Sequence, residues 1–285
     1  MKNNAFTCNS IAIQCLRPNK AYPIVSKNKK SPIKEKTLRH PGQSLDERID
    51  KLINDDALLY FLYAGALIGL VGYEWWRYFY EVPPNPLPIT IAAIVGFPYC
   101  LYKIWKIYKE TKLLKLGRDG ERAVGQFLET LRSDGAVVFH DIIADNFNLD
   151  HVIVSRKGIY AVETKTYSKP EKGEAKIIFD GEKLSIQGAG TYNQPLVQVQ
   201  SASKWLKDII KATTGRSFSI KPVILFPGWF VETTEQGKKV DTWALHPKAL
   251  PAFIKNQADS ISQEDAQMVV YHLCRYVRVK ESEKK

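Results

Sequence analysis

From Ala57 to Tyr73 the chain runs ALLYFLYAGALIGLVGY without a single charge, and from Leu87 to Trp105 it runs LPITIAAIVGFPYCLYKIW with Lys103 as its one charge. Each stretch can cross the hydrocarbon core of a bilayer as a helix, the first only just. A soluble helix of this length would carry a polar face, and neither stretch does. The connecting EWWRYFYEVPPNP holds Trp75, Trp76, Tyr78, Phe79 and Tyr80, rings suited to the headgroup level, followed by prolines that allow a tight reversal. The pattern predicts a helical hairpin. Beyond Trp105 the helical periodicity continues through KIYKETKLLK as a basic stalk, and Gly117 marks a place for it to break.

The remainder alternates two periodicities. Val124, Phe127, Leu128 and Leu131 recur at helical spacing between Arg118 and Leu131, and Ala202, Trp205, Leu206, Ile209 and Ile210 do so between Leu196 and Lys211. Short β-branched or aromatic runs at Ala136–Asp141, His151–Ser155, Ile159–Thr166 and Pro222–Phe226 read as strands. Ser262-Gln-Glu-Asp265 has the form of a capping box opening a last helix to about Val277. The order predicts an α/β fold with a mixed sheet flanked by helices, preceded by the two-helix transmembrane hairpin. Residues 1–44, polar and broken by Pro18, Pro23, Pro32 and Pro41, read as a mobile tail. The expected organisation is this tail, a hairpin and stalk over 45–116, a mixed α/β domain over 117–230 and a C-terminal extension with the final helix over 231–285.

Charge sharpens this picture. The net +11 divides as +5 over residues 1–56, +3 over 57–116 and +3 over 117–285, so the surplus surrounds the apolar segments. Lysines and arginines flank the outer ends of the hairpin while its loop holds only Arg77, which places both termini in the cytoplasm of a multi-pass cytoplasmic-membrane protein. No apolar run of signal-peptide form opens the chain. Cys8, Cys15, Cys100 and Cys274 lack metal-ligand spacing and are too few for a disulfide framework in a chain this long, in keeping with a reducing compartment. Gly65-x-x-x-Gly69 would allow a close helix pair and so a homodimer.

Candidate chemistry concentrates in Leu149-Asp150-His-Val-Ile-Val-Ser-Arg-Lys-Gly-Ile-Tyr-Ala-Val-Glu163-Thr-Lys165. Two strands meet at a turn near Arg156-Lys157-Gly158, and strand alternation puts Glu163 and Lys165 on one face. A two-residue turn sets Asp150 opposite Glu163; a three-residue turn sets it opposite Thr164. Two carboxylates and an ammonium at one sheet end suit oxygen ligation of a hard cation and orientation of an attacking water. An isolated Glu-x-Lys is more often a structural ion pair. Glu121 shares a helix face with Val124, Gly125 and Leu128, and Gln198 aligns with Ala202, Trp205 and Ile209, which points its amide towards the core. His151 reads as a hydrogen-bonded strand histidine, and His140 and Asp141, being adjacent on a strand, as pointing to opposite faces. Gln187-Gly-Ala-Gly190 lacks the context of a phosphate loop and reads as a surface loop. Trp229, Trp243, Tyr271 and Tyr276 could stack bases, although packing is the commoner use of such rings.

The ordered set of a Gly-x-x-Gly-Glu helix start at Gly117–Glu121, a Leu-Asp-His-Val strand start at Leu149, GIYAVETK at Gly158–Lys165, Pro-x-x-Gln at Pro195–Gln198 and the later PVILF strand resembles the nuclease-related domain (NERD) family, a branch of the PD-(D/E)xK nuclease superfamily. Leu149 stands where the superfamily motif has proline, and Asn193-Gln194-Pro195 departs from the expected Asn-Pro pairing. The resemblance implies a restriction-endonuclease-like sheet. It further implies that Asp150 and Glu163 hold Mg²⁺ (or Mn²⁺), that Lys165 acts on the water, that Glu121 completes the acidic cluster and that Gln198 supports the site. The expected activity is then hydrolysis of phosphodiester bonds in DNA rather than RNA by a nuclease tethered to the lipid bilayer, with a non-cleaving, membrane-tethered nucleic-acid- or protein-binding adaptor as the alternative.

Overall fold

The computed structural model describes residues 38–80, 86–170 and 173–283, all within one compact unit. Most of the segment read as a mobile tail, residues 1–37, and the proline turn at 81–85 lie outside the described residues. Helix α1 (Gln43–Lys51) passes through a π-helical turn (Leu52–Ala57) into α2 (Leu58–Phe79). Helix α3 (Pro86–Leu128) is 43 residues long. Both apolar helices are long and apolar enough to cross a membrane. Their large side chains face outward: Leu62 is 62% exposed, Ile94 67% and Val95 69%. The two helices pack against one another at Gly96, where a Cβ would stand 2.9 Å from Leu67 Cδ1. Gly65 and Gly69 have open space around their Cβ positions, so that glycine face is not used between α2 and α3.

The expected break at Gly117 does not occur, since α3 runs through it to Leu128. The glycines there serve close packing instead. A Cβ on Gly120 would lie 1.8 Å from Thr166 Oγ1 and 2.9 Å from Thr166 Cβ, and one on Gly125 would lie 2.3 Å from Pro41 Cγ. Helix-breaking propensity of about 1 kcal/mol per glycine is outweighed by packing on both sides. Gly120→Ala is accordingly expected to lower stability by about 1–3 kcal/mol through overpacking, and Thr166→Ala in the same chain to recover part of that loss, read by thermal unfolding.

Five strands form the main sheet in the order β1-β2-β3-β7-β9, with β1 (Val137–Ile143), β2 (Asn148–Ser155), β3 (Gly158–Thr164), β7 (Ile220–Leu225) and β9 (Trp243–Leu245). β1, β2 and β3 are antiparallel, whereas β3, β7 and β9 are parallel. All seven residues of β3 are buried, because helices cover both sheet faces. On one face Val152, Val154, Ile159 and Ala161 pack against Ala202, Leu206 and Ile210 of α4 (Gln194–Thr214) and Val269 and Leu273 of α6 (Gln263–Glu283). On the other, Ile153, Tyr160 and Val162 pack against Val124 and Leu128 of α3 and Leu250 and Ile254 of α5 (Leu250–Lys255). The capping box at the start of α6 is present, with Asp265 N–H donating to Ser262 Oγ at 3.0 Å, and the helix runs on to Glu283.

A second sheet, ordered β6-β5-β4-β8, is built from β4 (Lys176–Phe179), β5 (Leu184–Ile186), β6 (Gly190–Tyr192) and β8 (Phe230–Thr233). The stretch read as a loop around Gln187–Gly190 joins β5 to β6 as a hairpin turn. Ile177, Phe179, Leu184 and Ile186 turn inward onto Leu196, Val199, Ile224, Phe226 and Trp229.

Candidate active site

The β2–β3 pairing settles the register. Ser155 pairs with Gly158 and His151 with Val162, so the turn takes two residues, Arg156 and Lys157, and Asp150 falls level with Glu163. The backbone ladder ends at His151, however. The Asp150 side chain replaces the next rung: Thr164 N–H donates to Asp150 Oδ2 at 2.6 Å. This bond fixes one carboxylate oxygen against the end of β3 and leaves Oδ1 without a hydrogen bond from the described residues.

Glu163, 9% exposed, is the second carboxylate, and Lys165 Nζ lies 2.7 Å from its Oε1. Burial pushes the lysine pKa down, but the charge and hydrogen bond of Glu163, helped by Asp150, outweigh it and leave Lys165 above its ordinary value. Lys165 is therefore a cation at neutral pH. Asp150 is driven the other way: burial raises it well above the ordinary carboxylate range, and Glu163 and Glu121 raise it further, against the Thr164 N–H and Lys165. Glu121 arrives from α3 beside the same sheet end. Burial, Asp141 and Glu163 push it up to about 8, opposed by Lys165 and the backbone N–H of Gly42. Four of the five residues singled out from the sequence thus form one electrostatic cluster.

The fifth does not join it in the expected way. The buried stripe of α4 runs through Leu196, Val199, Ala202, Ser203, Leu206 and Ile210, and Gln198 lies off this stripe and is exposed. The expectation that its amide points to the core is corrected. One helical position is a 100° rotation, and the helix is turned so that Val199 rather than Gln198 faces the sheet.

The sequence reading set Asp141 aside and gave it no role. It is the one non-glycine residue among those described with positive φ, +50°, and it is 2% exposed. Its carboxylate binds Arg39, whose Nε and Nη2 donate to Oδ2 at 2.9 and 2.7 Å, and Ser44, whose N–H and Oγ donate at 2.7 Å. Arg39 is only 3% exposed and also reaches Glu47, Ser44 and Glu281. The end of the segment read as a tail is therefore anchored beside Glu121 instead of mobile. A charged residue inside an apolar strand was the available signal; its partner, 102 positions away, left none.

His151 is fully buried, with Nδ1 2.9 Å from Nδ1 of His140, whose Nε2 is 2.7 Å from Glu129 Oε1. Partial burial raises Glu129, but hydrogen bonds from His140 and Arg132 outweigh it and bring it down to about 2. The carboxylate accepts a hydrogen bond from His140 Nε2–H, and the two imidazoles share one hydrogen bond between their Nδ1 atoms. Buried Trp229 donates its Nε1–H to Tyr167 O, and Tyr276 donates its hydroxyl to Ile143 O. Neither is placed to stack a base.

Among the described residues no three His, Cys, Asp or Glu side chains converge as a ready-made metal cluster. Glu163 Oε2 and Asp150 Oδ1 are nevertheless two hard oxygen donors free of hydrogen bonds from the described residues. That donor set fits Mg²⁺, which commonly takes one or two carboxylates and fills its shell with water and phosphate oxygens. Burial and the neighbouring carboxylates raise Asp150 and Glu121, and a divalent cation between them would lower both.

The site is thus an acid pair and a lysine at one end of a mixed sheet with helices on both faces. The model of the nuclease-related domain family, NERD, matches residues 116–227, from the end of the basic stalk to the residue after Phe226. No curated protein and no solved structure matches the chain.

Proposed function

We propose that the chain is a membrane-anchored, metal-dependent nuclease that hydrolyses phosphodiester bonds in DNA on the cytoplasmic side. The observation that carries this reading is the Asp150–Glu163–Lys165 cluster, with one carboxylate pinned by Thr164 N–H and the other paired to the lysine at 2.7 Å, inside the segment that matches NERD. Asp150 and Glu163 would hold the cation. When bound, Mg²⁺ or Mn²⁺ would supply charge stabilisation to the phosphoryl oxygens. Lys165, kept protonated by Glu163, donates a hydrogen bond that orients water, and its release from Glu163 frees Oε1 for the metal. Thr164 N–H prevents Asp150 from rotating away.

The outward-facing apolar side chains of α2 and α3 support a bilayer as their surroundings, because an apolar surface of this extent is not sustained in water. Since α3 is unbroken, Glu121 lies 16 residues beyond Trp105 on the same rod, about 24 Å along it at 1.5 Å per residue. The site would then be held at a fixed height above the membrane.

The test uses the full chain in detergent with plasmid and linear DNA, and with RNA, under Mg²⁺, Mn²⁺ or EDTA. Metal-dependent cleavage of DNA is expected, and Lys165→Met is expected to lower its rate by about 10³-fold or more while leaving oligonucleotide binding in place. A folded wild type that binds nucleic acid but cuts neither polymer under either metal would sink the enzyme reading in favour of the adaptor.

A further inference from the structure

The parallel strands β3, β7 and β9 end level with one another. Lys165 N–H donates to Leu225 O at 2.9 Å and Phe226 N–H to Leu245 O at 3.0 Å, which carries the ladder to the last residue of each strand. Lys165, the Phe226-Pro227-Gly228 turn and His246-Pro247-Lys248 therefore leave the sheet at one edge. With strands about 4.8 Å apart, the β9 exit lies about 10 Å from the β3 exit. That is a span of a few nucleotides at most, since successive phosphates of a duplex strand advance about 3.4 Å along its axis and lie further apart in space.

The segment after Lys165 is laid along this edge. Tyr167 stacks on Phe226 with ring centres 6.2 Å apart, and Trp229 Nε1–H holds Tyr167 O at 3.2 Å. Lys169 then rests on Gly228: a Cβ there would touch its Cε at 3.4 Å and Nζ at 3.7 Å. Gly228 has φ +80°, and Trp229 N–H returns to Phe226 O, the geometry of a turn that needs glycine at its third position. At the β9 exit, Lys248 N–H donates to His246 Nδ1 at 3.1 Å, so the neutral ring carries its proton on Nε2 as a donor. Burial, Lys248 and Lys169 together lower the pKa of His246, which places both ammonium groups within electrostatic reach of the ring.

Some other cations of this domain are matched, Lys176 to Glu232, Lys221 to Asp241, Lys238 to Glu235 and Lys280 to Asp145, while others, Lys204 and Lys207 of α4 among them, form no ion pair among the described residues, so that position at the sheet edge and not pairing alone sets Lys169 and Lys248 apart. Lys169 and Lys248 are exposed and form no ion pair among the described residues. Two unmatched ammonium groups and a neutral imidazole donor, in line with an acidic site at the same sheet edge, have the charge and spacing of a phosphate track.

We infer that Lys169, His246 and Lys248 bind the sugar–phosphate backbone of the substrate strand, within a few nucleotides of the scissile phosphate at the Asp150–Glu163 site. His246 and Lys248 lie beyond residues 116–227, so this contact belongs to the C-terminal extension rather than to the matched domain. The inference rests on the nuclease reading above.

The test measures anisotropy of a short labelled DNA single strand with the full chain in detergent and EDTA, between about 50 and 200 mM salt. Lys169→Gln and Lys248→Gln are each expected to weaken binding about 5-fold at low salt and to reduce the slope of log affinity against log salt by about 0.7. His246→Gln should weaken binding about 2-fold with the slope unchanged, because a neutral donor displaces no counterion. Lys204→Gln, an exposed lysine on α4, serves as the control and should match the wild type. If the wild type binds and cuts while both lysine variants keep its affinity and slope, the phosphate track is wrong and the nuclease reading stands. If the wild type neither binds nor cuts, both fall together.

Discussion

Arg39→Met is expected to lower the unfolding free energy by about 3–5 kcal/mol, because removing one partner of a buried ion pair strands the other. Here the stranded group is Asp141, 2% exposed and surrounded by Ser44 and the end of α1. The guanidinium is bound by three carboxylates from distant parts of the chain, Asp141 of β1, Glu47 of α1 and Glu281 of α6, so its loss loosens three elements at once. Lysine would not substitute, since a single ammonium cannot present two N–H groups to Oδ2 while reaching two further acids. The diagnostic measurement is a double-mutant cycle on thermal or denaturant unfolding. Arg39→Met with Asp141→Asn should recover most of the loss, as both members of the buried pair become neutral. Additive losses in the double variant would show that Arg39 acts by packing alone.

This cluster also marks how far the sequence could be read. The apolar runs, the Gly-x-x-Gly-Glu helix and the Asp150-to-Lys165 hairpin are local patterns, and their period and turn length dictate which groups meet. The two-residue turn at Arg156-Lys157 was one of two registers the sequence allowed, and backbone pairing at Ser155 and Gly158 selected it. Strands β4, β5 and β6 have four, three and three residues, too short for alternation to stand out; β6 is exposed throughout, and the inward faces of β4 and β5 are defined by residues distant in sequence, on α4, on β7 and beyond it. Gly117 read as a possible break, with a new helix opening at Gly117–Glu121, because the local propensity of Gly117 and Gly120 opposes a helix there. What holds them helical is contact with Leu45 and Thr166, information that no window of neighbouring residues contains. The rotation that exposes Gln198 is equally non-local: several registers of the α4 apolar stripe are compatible with the sequence, and the second sheet, by burying Leu196 and Val199, picks one.

Glu121→Gln should stabilise the metal-free protein at alkaline pH and impair it as a nuclease. In the fold the Glu121 carboxyl titrates at about 8, because burial and the charges of Asp141 and Glu163 disfavour its ionised form. In the unfolded chain it ionises near 4.3. Between these values the native state holds a proton that the unfolded state does not, so stability falls as pH rises through this window and is lowest above about 8. Glutamine resembles the protonated acid and removes that slope. A shift of this size amounts to about 4–5 kcal/mol if undiminished; Glu121 is partly exposed, and screening by water reduces the expected gain at pH 8 to about 2–3 kcal/mol. Near pH 4 the two proteins should unfold alike. Unfolding curves in EDTA across pH 4 to 9, repeated with Mg²⁺, read the effect directly. Added metal should narrow the difference by stabilising the wild type more than the variant, since a cation lets Glu121 ionise at less cost. A gap that is independent of pH would mean that Gly42 N–H and Lys165 already hold Glu121 as a settled carboxylate. The expected outcome instead describes a site whose acids are mutually destabilising until something positive arrives between them.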